Sequence, residues 1–298
     1  MASTLRYCLL FFLIVPLASL AQQAPVDTGF RSEVLQRAST FEQTGRLTVG
    51  ERTIYAVRLI LRTYGLNGHQ PLWNDSNIPA LLTALEGLKT DGLRPEEYRF
   101  AEIDTLARAA SGLSIAQRVD YDVLLSEACI RAIYNLAFGK VDAESLDADI
   151  NFTRPFTKND PAPTLLEGIK SGNIAGLFDR VRPKPPGYGR MKQALAQYRA
   201  YQAAGGWQPV PEGKALKEGD ADPRVVKLRE RVRVTRDYPT DWAVSNDPQV
   251  FEPTLVEAVK RFQKRHGLDT DGAVGPATLR AMNVPVEERI DQIRVNLE

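Results

Sequence analysis

The residues of this sequence that could act as nucleophiles or proton carriers are few and widely separated. The chain has two cysteines and two histidines among 298 residues. Cys129 lies in the run Glu-Ala-Cys-Ile-Arg, and the nearest histidine, His69, is 60 positions away. A cysteine becomes a good nucleophile when a neighbouring base or cation stabilises its thiolate. We therefore predict that Cys129 is a small buried residue, and we predict no catalytic residue.

The same residues argue against a metal centre. A zinc site needs three or four Cys, His or carboxylate ligands at suitable spacing, whereas His69, His266 and Cys129 are scattered along the chain. His266 precedes Gly267, so we interpret it as the end of a helix, where positive charge is favourable. We expect no metal and no cofactor.

Residues 251–283 have the pattern of two helices joined by a tight loop. The loop, 268–275, contains Asp271-Gly272, a pair typical of a turn in which glycine takes a positive φ. Pro276 then begins a helix. Turn and capping roles explain Asp271 and Thr278 as well as ligand contact does. The candidate ligand-binding residues near this loop are Gln263, Asp271 and Thr278.

A further helix is predicted before this segment, because Asp222 followed by Pro223 is a good helix start. Val225, Leu228 and Val232 give it one apolar face. Three short helices within 216–283 predict a three-helix bundle. Its arginines and lysines, at 229–236 and 260–265, are interpreted as solvated faces, although a few of them could contact anionic groups of a partner. The tryptophans of the whole chain, Trp73, Trp207 and Trp242, are interpreted as core residues that could alternatively stack on sugars.

Residues 22–212 are predicted to be mainly α-helical, with no long run of period two. Predicted helices span 30–61, 79–88, 95–98, 115–138, 165–171 and 191–204. The Pro- and Gly-rich run 182–189 is predicted to be a rigid loop. Gly205-Gly206 and 209–213 mark a domain boundary. The predicted fold is therefore mainly α, a larger helical domain followed by the small bundle.

The first 21 residues have the pattern of a secretory signal peptide. Arg6 precedes an apolar run over 7–20, which is short for a membrane span and is interrupted by Pro16. Cleavage after Ala21 would also remove Cys8 and leave 37 basic and 37 acidic residues. This neutral balance argues against a nucleic-acid partner.

The order of residues in the small bundle resembles that of a peptidoglycan-binding domain. The resemblance rests on a Val-x-x-Leu-Arg helix around 226–229, Phe262-Gln263, His266-Gly-Leu268, Asp271-Gly272 and Gly275-Pro-x-Thr-Leu279. It implies that the partner is peptidoglycan and that the bundle covers about 216–283.

The first half resembles the scaffold domain of large YcbB-like murein L,D-transpeptidases. The residues that carry this resemblance are Pro71-Leu-Trp73, Leu81-Leu82, Asp91-Gly-Leu-Arg-Pro-Glu-Glu-Tyr98 and Asn135-Leu-Ala-Phe-Gly-Lys140. In that family a scaffold precedes the wall-binding module, and a catalytic domain with a Gly-Cys nucleophile and a nearby His follows both. The resemblance implies an exported, periplasmic protein of a Gram-negative envelope, with other cell-wall synthesis proteins as further partners.

Residues 284–298 are expected to form a linker helix toward a catalytic domain that is absent from this chain. Ile290, Ile293 and Leu297 form an apolar stripe at helical spacing. This stripe either folds back on the scaffold or is covered by sequence that is missing, and we favour missing sequence.

Three functions remain open. The first is wall binding and scaffolding without chemistry of its own. The second is the front part of an active cysteine L,D-transpeptidase that forms 3-3 crosslinks. The third is a wall hydrolase or interaction subunit that uses the same module. We favour the first function for this chain, and we expect the chain to be the front part of a protein of the second kind.

Overall fold

The computed structural model describes residues 26–109, 112–140, 160–239, 241–242 and 246–298. The predicted signal peptide lies outside the described residues. Within the described part of the chain, no helix is both long and apolar enough to cross a membrane.

The described residues form twelve α-helices and one short hairpin, which confirms the mainly α fold. In chain order the helices are α1 Thr28–Thr44, α2 Val57–Leu66, α3 Ile78–Gly87, α4 Phe100–Ala109, α5 Ile115–Phe138, α6 Ala162–Lys170, α7 Ile174–Val181, α8 Pro186–Ala203, α9 Arg224–Val234, α10 Pro253–Arg265, α11 Pro276–Asn283 and α12 Val286–Leu297. The hairpin pairs β1 Thr48–Val49 with β2 Arg52–Thr53, and the 3-10 turns Leu88–Asp91 and Pro95–Tyr98 separate α3 from α4.

Helix α5 is the central element of the first half, with the bounds predicted from the sequence. It begins with a reciprocal capping box between Ser114 and Gln117, and it ends where Gly139 takes a φ of 74°. Its buried side chains point in several directions because α1, α2, α3, α4 and α7 pack around it. One apolar core therefore extends from Phe30 in α1 to Phe178 in α7.

A buried carboxylate on α5 fixes the segment that leads into α3. The Tyr64 hydroxyl donates to Asp122 Oδ1 at 2.6 Å, and the backbone N–H groups of Leu72 and Trp73 donate to Oδ2 at 3.1 Å. Burial raises the pKa of Asp122 to about 7, although these three donors act in the opposite direction. The contacts hold three separate elements together inside the core.

A second buried carboxylate, Asp91, attaches α8 to this core. Its side chain has no exposed surface and accepts from Lys192 Nζ at 2.6 Å, from the Tyr188 hydroxyl at 2.9 Å and from Arg182 Nη2 at 3.0 Å. Two of these donors lie on α8 and the third lies just before it. Asp91 therefore sets how α8 lies against the scaffold.

Helices α9, α10 and α11 share a separate apolar core, as the predicted bundle requires. Its fully buried members include Val225 and Leu228 from α9, Val259 and Phe262 from α10, and Met282 from α11. A backbone bridge between Leu216 and Val274 closes the bundle on one side.

The expectation that missing sequence covers the last helix is wrong. Val286, Ile290 and Leu297 of α12 pack in a third cluster with Leu195 and Tyr201 of α8. The Arg294 Nε atom donates to the Gly92 carbonyl at 2.7 Å, which fixes the far end of α12 on the scaffold. The apolar stripe is therefore covered by described residues, and it gives no reason to infer a further domain.

Two other expectations about elements are wrong. Residues 45–56 are not helical: Gly45 ends α1 with a φ of 69°, and the hairpin turns at Gly50, where φ is 58°. The run 182–189 is only partly a loop, since α8 begins at Pro186. Pro185-Pro186 favours this start because proline at the first helical position has its φ preset and needs no N–H partner.

Candidate functional site

The loop between α10 and α11 is held by one glutamine side chain. Gln263 is 1% exposed, and its Nε2 donates to Asp271 Oδ1 at 2.7 Å, to the Ala273 carbonyl at 3.0 Å and to Thr278 Oγ1 at 3.2 Å. Its Oε1 accepts from the Gly272 N–H at 2.9 Å. The structure thus brings the three candidate residues Gln263, Asp271 and Thr278 into one hydrogen-bonded network.

The three residues differ in what they present to solvent. Gln263 and Thr278 are buried and bonded inside the module, whereas Asp271 is exposed. The Ala273 N–H and then the Gln263 amide hold the pKa of Asp271 below its ordinary value, so it is a carboxylate at neutral pH. Of the three, Asp271 has the accessible charge, and the other two fix its position.

Gly272 is required by the backbone of this loop. Its φ is 76°, and a Cβ at this position would lie 2.6 Å from Val256 Cγ1. A side chain here would therefore be strained in its backbone and would also collide with α10. This confirms the predicted turn role of Asp271-Gly272.

The interpretation of the basic residues as solvated faces is wrong for two arginines of α9. Arg229 is buried and pairs with Glu252 Oε2 at 2.7 Å, and it also donates to the Pro248 carbonyl at 2.7 Å. Arg231 is 1% exposed and donates to the Met282 carbonyl at 2.8 Å. The pattern of charges in the sequence does not predict that these two arginines are buried. The residues of one helix do not show which hydrogen-bond acceptors a neighbouring segment will place beside it.

Arg231 also joins the bundle to the segment that follows α8. Its guanidinium lies 3.8 Å from the centre of the Trp207 ring, and Trp207 Nε1 donates to the Val284 carbonyl at 3.0 Å. Arg265 extends the connection by donating to Asp237 Oδ2 at 2.7 Å and to the Tyr198 hydroxyl of α8 at 2.8 Å. Stacked and hydrogen-bonded arginines thus fasten the bundle to α8.

The tryptophans have different environments. Trp73 is buried and donates from Nε1 to Ser126 Oγ at 2.9 Å, so it is a core residue as predicted. Trp207 is half-buried under Arg231. Trp242 is also half-buried, lies edge-on to Tyr238 and has the Arg261 guanidinium 4.5 Å from its ring centre. Trp207 and Trp242 are therefore both partly exposed, whereas Trp73 is enclosed in the scaffold core.

His266 does not carry the positive charge expected at the end of α10. Burial and the neighbouring Arg265, Arg289 and Arg231 lower its pKa to about 4, so the ring is neutral at neutral pH. Its Nδ1 lies 2.9 Å from the Phe262 carbonyl, and since a carbonyl only accepts, Nδ1 carries the proton.

Cys129 is fully buried in α5, and burial raises the pKa of its thiol to about 12. This confirms that it is a small core residue and not an activated nucleophile. Among the described residues, no group of three or more His, Cys, Asp or Glu is placed to hold a metal ion.

Two family models match the chain in sequence. Residues 58–195 match a model described as a scaffold domain, and residues 237–282 match a model described as a putative peptidoglycan binding domain. No curated protein gives a significant sequence match. The second match begins after α9, although α9 supplies Val225 and Leu228 to the same core.

The matched regions follow the order of the folded parts, a helical scaffold and then the small bundle. Together they support an N-terminal region like that of a cell-wall enzyme. The second match supports peptidoglycan as a partner and a location at the cell wall.

Proposed function

We propose that this chain is the peptidoglycan-binding and scaffolding portion of a murein L,D-transpeptidase of the YcbB-like type. The observation that carries the proposal is the succession of a scaffold match at 58–195 and a peptidoglycan-binding match at 237–282 in one folded chain. The scaffold, residues 22–212, would position the module, residues 216–283, and the module would bind the wall.

The contacts of α8 support this division of roles. Asp91 fixes α8 on the scaffold through Lys192 at 2.6 Å, and Arg265 fixes the bundle on α8 through Tyr198 at 2.8 Å. Helix α12 packs along the same helix. A module held this way has a defined orientation relative to the scaffold, which suits a protein that presents a polymer to chemistry elsewhere.

The wall contacts are proposed to lie around the α10–α11 loop. Asp271 offers an exposed carboxylate, and Gln263 and Thr278 keep the loop in the conformation that presents it. The half-buried ring of Trp242 on the same bundle is suited to stack on a sugar.

Co-sedimentation with purified peptidoglycan sacculi tests the binding role. We expect the purified protein to pellet with sacculi at moderate salt and to remain in solution without them. A protein that stays in the supernatant with sacculi present would contradict the proposal.

The lineage is tested by reading the gene beyond the codon for Glu298. We expect a reading frame that encodes a Ser-His-Gly-Cys type motif, whose cysteine would form 3-3 crosslinks by acyl transfer. A lytic domain at that place would instead favour the wall-hydrolase alternative, and unrelated sequence after a stop codon would contradict the lineage.

A further inference from the structure

A cleft opens where the scaffold helix α8, the bundle and α12 meet. Its volume is about 490 Å³, which lies within the roughly 300–1,000 Å³ typical of small-molecule sites. We call it the junction cleft. The polar residues that line it and matter here are Gln197, Tyr198, Tyr201, Arg265, His266 and Arg289.

The electrostatics of the junction cleft favour an anion. Arg265 and Arg289 line it, and the charge of buried Arg231 lies close enough to both for the three guanidinium groups to perturb one another. Asp237 is the acid of this lining, and Arg265 already pairs with it at 2.7 Å. His266 adds no charge, because its ring is neutral at neutral pH. The cleft therefore has more positive than negative charge in a partly dehydrated place.

Arg289 has N–H groups that its partners in the protein leave unused. Its two terminal nitrogens donate to Gln292 Oε1 and to the Ala281 carbonyl, each at 2.9 Å. Its Nε is buried and has no hydrogen-bond partner among the described residues. A buried N–H group without an acceptor is costly. Each terminal nitrogen carries a second N–H group as well, so Arg289, which lines the cleft, can still donate to a ligand oxygen there.

The tyrosines of α8 supply further donors. The Tyr198 hydroxyl accepts from Arg265, and the Tyr201 hydroxyl accepts from Gln197 Nε2. Each hydroxyl has one hydrogen of its own to donate. A carboxylate accepts through both oxygens and suits a set of guanidinium and hydroxyl donors.

We propose that the junction cleft binds a carboxylate of the wall polymer, with Arg289 as its principal ligand. The proposal rests on the proposed function, because it takes peptidoglycan as the partner. Two parts of that polymer carry carboxylates: the peptide stems, and the lactyl groups of glycan chains from which the stems have been removed. Binding here would make recognition of the wall depend on the scaffold as well as on the module.

Isothermal titration of the purified protein with defined probes tests this proposal. The probes are the free stem tetrapeptide released from sacculi by an amidase, the same peptide with its carboxyl groups amidated, and the stripped glycan chains. We expect one of the two carboxylate probes to bind and the amidated peptide not to bind. The probe that binds identifies the source of the carboxylate.

The variants are Arg289→Gln and Arg289→Lys, with Arg280→Gln as the matched control. Arg280 is exposed on α11 and lies outside the junction cleft. We expect Arg289→Gln to weaken binding about tenfold or more, since it removes a charge-assisted donor, Arg289→Lys to weaken it less, and Arg280→Gln to leave it unchanged. Thermal unfolding of each variant shows whether the fold is kept.

The proposal is overturned if neither carboxylate probe binds, or if Arg289→Gln and Arg280→Gln bind as the unmodified protein does. Neither result bears on co-sedimentation with sacculi. Either one would therefore refute carboxylate binding in the junction cleft without contradicting the wall-binding role. Loss of co-sedimentation in the unmodified protein would instead contradict the proposed function itself.

Discussion

The scaffold and the small bundle differ in the charges that they bury: among the described residues, the buried charged side chains of the scaffold are all carboxylates, whereas the bundle buries guanidinium groups as well as carboxylates. The scaffold encloses carboxylates, Asp91 and Asp122, whose partners are backbone N–H groups, hydroxyls and cations. The bundle encloses guanidinium groups, Arg229 and Arg231, whose partners include backbone carbonyls at the ends of segments.

The difference follows from the size of the two cores. The scaffold core extends from α1 to α7, so it can surround a carboxylate with donors from several elements. The bundle has three short helices, and a long arginine side chain adds apolar stem to a small core while its head reaches carbonyls at the rim. The buried acids thus join elements within the scaffold, whereas Arg231 also reaches outward to Trp207.

Asp91→Ala is expected to have the largest effect on stability. The change leaves Arg182 and Lys192 without the buried carboxylate, and removing one partner of a buried pair costs about 3–5 kcal/mol. Asp179→Ala is the matched control, since Asp179 also pairs with Arg182 but its side chain is 65% exposed. Chemical denaturation of both variants measures the difference, and equal losses would refute the role given to Asp91.

Arg231→Ala is the corresponding change in the bundle. It leaves the Met282 carbonyl without its donor and a void beneath Trp207, for which we expect a loss of about 3–4 kcal/mol. The control is Arg233→Ala, two positions along α9, where the side chain is exposed. Denaturation of both proteins measures the losses. If Arg233→Ala destabilises the protein as much as Arg231→Ala does, the burial of the Arg231 guanidinium group is not the cause of the loss.

The lowered pKa of His266 predicts that acid destabilises the bundle. Its pKa is about 4 in the folded protein and 6.5 ordinarily, so the unfolded chain takes up a proton first as the pH falls. The stabilisation from a neutral His266 is present above pH 6.5 and is lost as the pH falls toward 4, by roughly 2–3 kcal/mol.

Unfolding followed by tryptophan fluorescence across this range measures the effect, and His266→Gln is the comparison. The variant should lose less stability on acidification than the unmodified protein. Asp122 gives the scaffold the opposite dependence, because a raised carboxyl pKa makes the folded state hold its proton longer. If the stability of the unmodified protein and that of the His266→Gln variant change in parallel with pH, His266 does not titrate as described.

Gly272→Ala is expected to have the smallest effect, about 1–3 kcal/mol, from strain at a positive φ and the contact with Val256. Gly219→Ala is the control, since its φ is 84° but a Cβ placed there would have nothing within 4 Å. Thermal unfolding separates the collision from the backbone strain that both positions share. A larger loss at Gly219 would show that the contact with Val256 contributes little.

Much of the fold follows from local signals in the sequence. The bounds of α5 are marked by a capping residue and by Gly139, and the three helices of the bundle each have an apolar face and a proline or aspartate near the start. The hairpin at 48–53 was missed because two strands of two residues give no measurable period. The sequence predicts that α8 begins at 191 and not at Pro186, because proline and glycine usually disfavour a helix. The first position of a helix nevertheless tolerates proline.

The candidate site was predictable only in part. The loop chemistry of Asp271-Gly272 indicated a turn, and the structure places Gln263 and Thr278 beside it. The burial of Arg229 and Arg231 depends on carbonyls from segments about twenty to fifty positions away, which no local pattern reveals. The position of α12 on α8 depends in the same way on a surface that forms only when the chain folds.

The burial of Cys129 makes spectroscopic labelling of this protein simple. Its thiol is enclosed in α5 and has a pKa of about 12, so a maleimide probe at neutral pH will not modify it in the folded state. In a protein prepared without residues 1–21, and therefore without Cys8, a pair of cysteines introduced at exposed Tyr134 on the scaffold and exposed Lys227 on the bundle would carry all the label. The distance between the two parts could be followed as sacculi are added, without first removing the native thiol.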